Sequence, residues 1–179
     1  EAKTKNEQEN VDKVRLYISQ INKFQKVTII KREKNWGLAN NIIGGVTEVV
    51  NQHGKIIVLE DDLVTSSHFL KYMNEALDFY KDEEQVMSVS GFSYLKKIPK
   101  NYNKDVFIFY RPCSWGWAIW KNEWNLIDFN VTQSHEIFSN ISLRNNFNRG
   151  GNDLFDMLKM QMDGVINSWG IRFALSHSL

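Results

Sequence analysis

Apolar positions recur at spacings of three and four through Val11, Val14, Ile18 and Ile21, after a polar and charged start over residues 1–10. The start reads as a loose lead-in, and the spacing after it predicts an amphipathic helix. Val27 to Ile30 is a short β-branched run and predicts a strand. Leu38, Ile42, Val46, Val49 and Val50 give a second helical stripe, closed by Asn51, His53 and Gly54. Ile56 to Leu59 is continuously apolar, the pattern of a strand buried on both faces. Phe69, Met73, Ala76, Leu77 and Tyr80 form a third helical stripe behind Thr65, Ser66 and Ser67, and Val86 to Ser90 predicts another strand.

Helix, strand, helix, strand, helix, strand is the order of a parallel α/β sheet with right-handed crossovers. After Gly91 the regularity falls. Residues 92–105 read as loop, Val106 to Tyr110 as a strand, about 134–146 and 152–162 as helices, and Val165 to Phe173 as a last strand-like piece. The expected organisation is one domain over 1–179, with a first half to about residue 91 and a second from about 92.

Hydrophobic residues make up 42% and charged residues 24%, ordinary values for a globular chain of 179 residues. The formal net charge of +1 gives no strong field for nucleic acid or an anionic membrane. No apolar run reaches the roughly 18 residues of a membrane span, and the polar start is not expected to act as a signal peptide. The lone Cys113 excludes an intramolecular disulfide and a multi-cysteine zinc site, and it suits a reducing compartment. The expected location is cytoplasmic, or peripheral to the membrane. His53, His68 and His135 lack metal-ligand spacing and read as surface or capping residues.

The chemistry concentrates in "KIIVLEDDLV". Three adjacent carboxylates, Glu60, Asp61 and Asp62, follow the buried run directly. They repel one another and are costly to desolvate. In open parallel sheets ligands bind beyond the carboxyl ends of the strands, which is where this triplet falls. If the chain stays extended, Glu60 and Asp62 point to one side and Asp61 to the other. Mg²⁺ or Mn²⁺ takes one or two carboxylates and completes its shell with waters and phosphate oxygens. The plain alternative is a solvated turn or a cap for the helix starting near Ser66.

"IIVLEDDLVTSSHFLKYMNEAL" resembles the metal-binding region of glycosyltransferases with the GT-A fold, in the Glu-Asp-Asp form of their Asp-x-Asp motif. "REKNWGLANNIIGGV", "SVSGF", "SWGWAIW" and "SWGIRF" extend the likeness over most of the chain from about residue 12. It is similar to bacterial family 2-like transferases and to the N-acetylglucosaminyltransferases that initiate hybrid N-glycans. The resemblance implies a Rossmann-like, mostly parallel sheet flanked by helices. It implies a nucleotide-sugar donor, a UDP-sugar first, and a carbohydrate or lipid-linked acceptor. It implies Asp62 as ligand to Mn²⁺ or Mg²⁺, Asp61 toward the ribose and Glu60 in support of the nucleotide. Arg32, just after Val27 to Ile30, could reach the base or diphosphate; Asn35 and Gly37 read as turn and cap chemistry. Such enzymes begin with strands that carry part of the nucleotide pocket, so the chain is expected to be an N-terminally truncated piece of a longer enzyme.

Four of the six tryptophans fall in "CSWGWAIWKNEW". Trp117, Trp120 and Trp124 sit three and four apart, which on a helix makes one core-facing stripe. Trp115 and Trp117 flank Gly116, a turn with close backbone approach. The resemblance places this loop beside the acceptor, making Trp115, Gly116 and Trp117 acceptor-side candidates. A general base is sought in "GGNDLFDMLK", where Asn152 suits an N-cap and Asp153 and Asp156 the first turn. Asp153 matches the family's acid best; acids also favour helix N-termini through the macrodipole alone. Two other classes stay open: a nucleotidyltransferase or phosphohydrolase, which needs further acids at strand ends, and a carbohydrate-binding or interaction module without turnover.

Overall fold

The computed structural model describes residues 4–95 and 97–178. Residues 1–3 of the expected lead-in, Lys96 of the expected loop and Leu179 lie outside the described residues. The chain divides into two compact units, 1–41 and 42–179.

In the first unit, the expected lead-in is helical from Lys5 onward. Thr4 caps α1 (Lys5–Ser19) by accepting from the Glu7 N–H at 3.2 Å. The strand expected over Val27 to Ile30 does not form; the stretch is irregular and pairs with no strand among the described residues. Asn35 accepts from the Gly37 N–H at 2.7 Å where α2 (Gly37–His53) begins, the turn chemistry expected of that pair.

In the second unit, Gly54 stops α2 at a φ of 77° and donates to the Val50 carbonyl at 2.8 Å. Strand β1 (Lys55–Val58) follows. Helix α3 (Phe69–Phe79) buries Phe69, Met73, Ala76 and Leu77, one face at helical spacing. Strand β2 (Ser88–Ser90) and strand β3 (Trp117–Trp120) complete the sheet. Short helices α4 (Lys121–Asn125), α5 (Ser134–Ser139) and α6 (Ile141–Phe147) come next. Helices α7 (Leu154–Met162) and α8 (Trp169–Ser176) end the described chain. No helix among the described residues is long and apolar enough to cross a membrane.

The expected mostly parallel, GT-A-like sheet is not what forms. The sheet has three strands in the order β1-β3-β2, and both pairings are antiparallel. Strands β1 and β2 do run the same way, but β3 lies between them. The stretch "WAIW" builds it, with Val58 opposite Trp117 and Lys55 opposite Trp120. Its tryptophans match helical spacing by chance; Trp117, Ala118 and Ile119 are all buried, which a sheet covered on both faces demands. Ala118 and Trp120 face α3 with Ile57 and Val89. Trp117, on the opposite face, stacks on Trp124 and Trp169 with centroids 6.0 and 5.3 Å away.

Two further expectations change. Val106 to Tyr110 makes no strand. Trp169 to Phe173 is helical, because Ser168 caps α8 by accepting from the Ile171 N–H and Ala174 and Leu175 extend the apolar face. That face joins Leu154, Leu158, Ile137 and Phe147 in a second core cluster.

Candidate functional site

Strand β1 ends at Val58, and the chain turns rather than staying extended. The Leu63 N–H meets the Glu60 carbonyl at 3.4 Å, so Glu60, Asp61, Asp62 and Leu63 form one turn. Glu60 is partly buried; desolvation, then the charges of Asp62 and Asp61, push its carboxyl above the usual range. Asp61 and Asp62 are exposed, and no hydrogen-bond donor or cation among the described residues is paired with them. Their hard oxygens fit Mg²⁺ or Mn²⁺, and a cation would relieve the repulsion on Glu60. Among the described residues no group of three or more His, Cys, Asp or Glu is arranged to hold a metal. A cation here would therefore lean on donor oxygens such as phosphates.

The strand register brings two other segments to the same end of the sheet. Trp117 pairs with Val58 on one side and Ser90 on the other. Leu59 to Asp62, Gly91 to Tyr94, and Ser114 to Gly116 therefore leave the sheet together. The Gly91 N–H donates to the Gly116 carbonyl at 2.7 Å. The Phe69 ring packs against both: a Cβ on Gly91 would lie 2.4 Å from its Cε2, and one on Gly116 2.9 Å. Neither position has room for a side chain.

Trp115 is 46% exposed at this end. Phe92 and Tyr94 join it, with ring centroids 4.8 and 5.7 Å from the indole and 5.5 Å from each other. Cys113 holds the loop: its N–H donates to the Ser90 Oγ at 3.2 Å, and its Sγ accepts from the Trp115 N–H at 3.4 Å. Trp117, the other aromatic candidate, is fully buried in the tryptophan stack. It has no surface to offer an acceptor. Gly116 is also buried, and acts through its backbone at a φ of 72°.

Asp153 sits at the N-cap of α7 in place of the expected Asn152, without capping through its side chain. Both its oxygens take bonds from Arg111, at 2.6 and 2.9 Å. These bonds hold the Asp153 carboxyl below its usual range and raise the Arg111 guanidinium. The glycine pair before Asp153 makes room for this: a Cβ on Gly151 would lie 2.4 Å from an Arg111 nitrogen. Arg111 also lies over the Tyr94 ring, 5.2 Å from its centroid. Asp156 is exposed in the first turn of α7. The sequence reading missed Phe92, Tyr94 and Arg111; the aromatic residues in "GFSY" after β2 were the only signal.

Below this rim lies a cavity of about 460 Å³ lined by Tyr72, Tyr80, Ser88, Tyr102, Phe107 and His177 among others. His177 accepts from the Ser88 hydroxyl through Nε2 at 2.8 Å, its Nδ1–H donating to the Phe173 carbonyl. Burial holds the ring neutral, with a pKa lowered to about 4. In the first unit, Arg32 stacks on Trp36 at 4.0 Å and shares a shallow cleft with Arg15, Lys31 and Lys34, which no acid among the described residues lines.

In comparisons with protein-family models, curated proteins and solved structures, none matches this chain.

Proposed function

We propose that the chain belongs to a metal-dependent glycosyltransferase that moves a sugar from a nucleotide-sugar donor to a carbohydrate or lipid-linked acceptor. The observation that carries the reading is the sheet end where an acidic turn, with no side-chain partner among the described residues, and an exposed tryptophan emerge side by side in the register. The motif resemblance supports it. Asp62 would hold Mn²⁺ or Mg²⁺, with Asp61 and Glu60 toward the nucleotide. When bound, the cation offsets the charge developing on the departing diphosphate. Trp115 would meet the acceptor, with the buried Gly116 setting the turn that exposes it. Asp153 Oδ would take the proton of the acceptor hydroxyl once Arg111 yields an oxygen; Asp156, one turn on, is the second candidate.

The test is calorimetric titration of UDP with Mn²⁺ into wild type and Asp62→Asn, followed by donor-hydrolysis and transfer assays. Equal metal-dependent UDP affinity in both proteins would remove the reading. A second reading, carbohydrate binding without turnover, draws on one observation: both oxygens of Asp153 are already engaged by Arg111. Binding of sugars with no metal-dependent nucleotide binding would favour it.

A further inference from the structure

We infer that Phe92, Tyr94 and Trp115 form a carbohydrate-binding platform, with Arg111 and Asp153 meeting the hydroxyl groups of the bound sugar. The ligand is an uncharged pyranose presented by its C–H face. This rests on the acceptor half of the proposed function but names residues and a ligand class which that reading lacks.

Three large rings, 44%, 41% and 46% exposed, stand in mutual contact on a surface anchored to the sheet by Gly91, Cys113 and Gly116. Rings exposed in one contiguous group point to a binding site rather than to scattered exposure. Ring faces attract C–H groups, and a pyranose offers several on one side. The flanking ion pair decides the polarity of the ligand. Arg111 uses two of its five N–H groups on Asp153, leaving three donors, and the half-exposed Asp153 carboxylate has acceptor capacity beyond the two Arg111 bonds. Donors and acceptors together suit hydroxyl groups. Because the two charges cancel, the pair gives little attraction to a phosphate or carboxylate ligand. A purely apolar protein partner would leave these groups unpaired, which is costly on burial.

The test is saturation-transfer NMR on the full chain with methyl β-glucopyranoside, methyl β-galactopyranoside and N-acetylglucosamine as probes. At least one should show transfer concentrated on the protons of one ring face. Affinity should fall about tenfold in Trp115→Ala and in Tyr94→Ala, and stay within about twofold in Trp115→Phe and in Leu126→Ala, an exposed apolar control. Circular dichroism checks each fold, and Trp115→Phe against Trp115→Gln replaces the alanine variant if that one unfolds. No transfer from any probe to the wild type, or undiminished binding in both aromatic variants, overturns the platform. So does a sedimentation result in which the wild type self-associates and Trp115→Ala does not, since a second copy would then cover the rings. Loss of Mn²⁺–UDP binding with sugar binding intact would sink the transferase reading alone; the converse would sink only the platform.

Discussion

Replacing Gly116 by alanine tests the geometry of the sheet end directly. Two costs arise. The residue sits at a φ of 72°, the left-handed region, which an L side chain enters at roughly 1–2 kcal/mol. The new Cβ would also lie 2.9 and 3.1 Å from the Phe69 ring and 3.4 Å from Leu59. The ring has little room to retreat, because it already fills the space beside Gly91 and Phe69 is only 8% exposed. Overpacking of this kind costs about 1–3 kcal/mol. The sum, about 2–5 kcal/mol, is a large share of the roughly 5–15 kcal/mol that stabilises a domain.

The assay is urea unfolding followed by tryptophan fluorescence and far-ultraviolet circular dichroism, accepted where the m-value is unchanged. A double-mutant cycle with Phe69→Leu separates the two costs. Without the ring, Gly116→Ala should retain only the backbone part, about 1–2 kcal/mol, and the coupling should be about 1–3 kcal/mol. A total cost below about 1 kcal/mol, or equal costs in both backgrounds, would refute the claim that Phe69 and the left-handed turn enforce glycine here.

Trp117→Phe should cost less than about 1.5 kcal/mol because Trp117 Nε1 is buried without a partner among the described residues, whereas Trp117→Ala should cost about 3–5 kcal/mol; comparable losses in urea melts would refute this. Arg111→Gln should lower stability by at most about 1 kcal/mol at pH 7, since Asp153 is half exposed and the pair is screened. The Asp153 carboxyl is depressed in the fold, so this contribution is present above the unfolded carboxyl value and lost as pH falls through the folded one; a pH-independent gap between the proteins would count against it. His177 is held neutral with a pKa of about 4 against an unfolded value near 6.5, so the unfolded chain binds the proton first and stability should fall by about 3 kcal/mol from pH 6.5 to 4. His177→Gln should flatten that part of the curve, and an unchanged slope would show that His177 is not its source.

Local signals were readable and non-local ones were not. Helix α3 was legible because Phe69, Met73, Ala76 and Leu77 repeat at the helical period. Strand β1 was legible because a β-branched run ends in charge. Strand β3 was not, since four residues with helical tryptophan spacing become a strand only by lying between β1 and β2. That one insertion also turned an expected parallel sheet antiparallel. Arg111 escaped notice for the same reason: its partner Asp153 is 42 positions away. The glycine pair at Gly150 and Gly151 looked like a helix lead-in, and its use in admitting the guanidinium appears only in three dimensions.

The corrected topology alters why the candidate residues meet. In a purely parallel sheet only segments following strands collect at one end, so Ser114 to Gly116, which precede β3, would have stood at the opposite end from the acids. An antiparallel β3 reverses this. Its incoming loop joins the outgoing turns of β1 and β2, and Trp117 fixes both neighbours in register at once. The backbone bond from Gly91 to Gly116 then closes the end, and Phe69 fills the space their missing side chains leave. Acidic turn and aromatic loop thus share a rigid base but not a common side-chain network. A substitution in one should leave ligand binding by the other largely unchanged, whereas a side chain at Gly91 or Gly116 should disturb both.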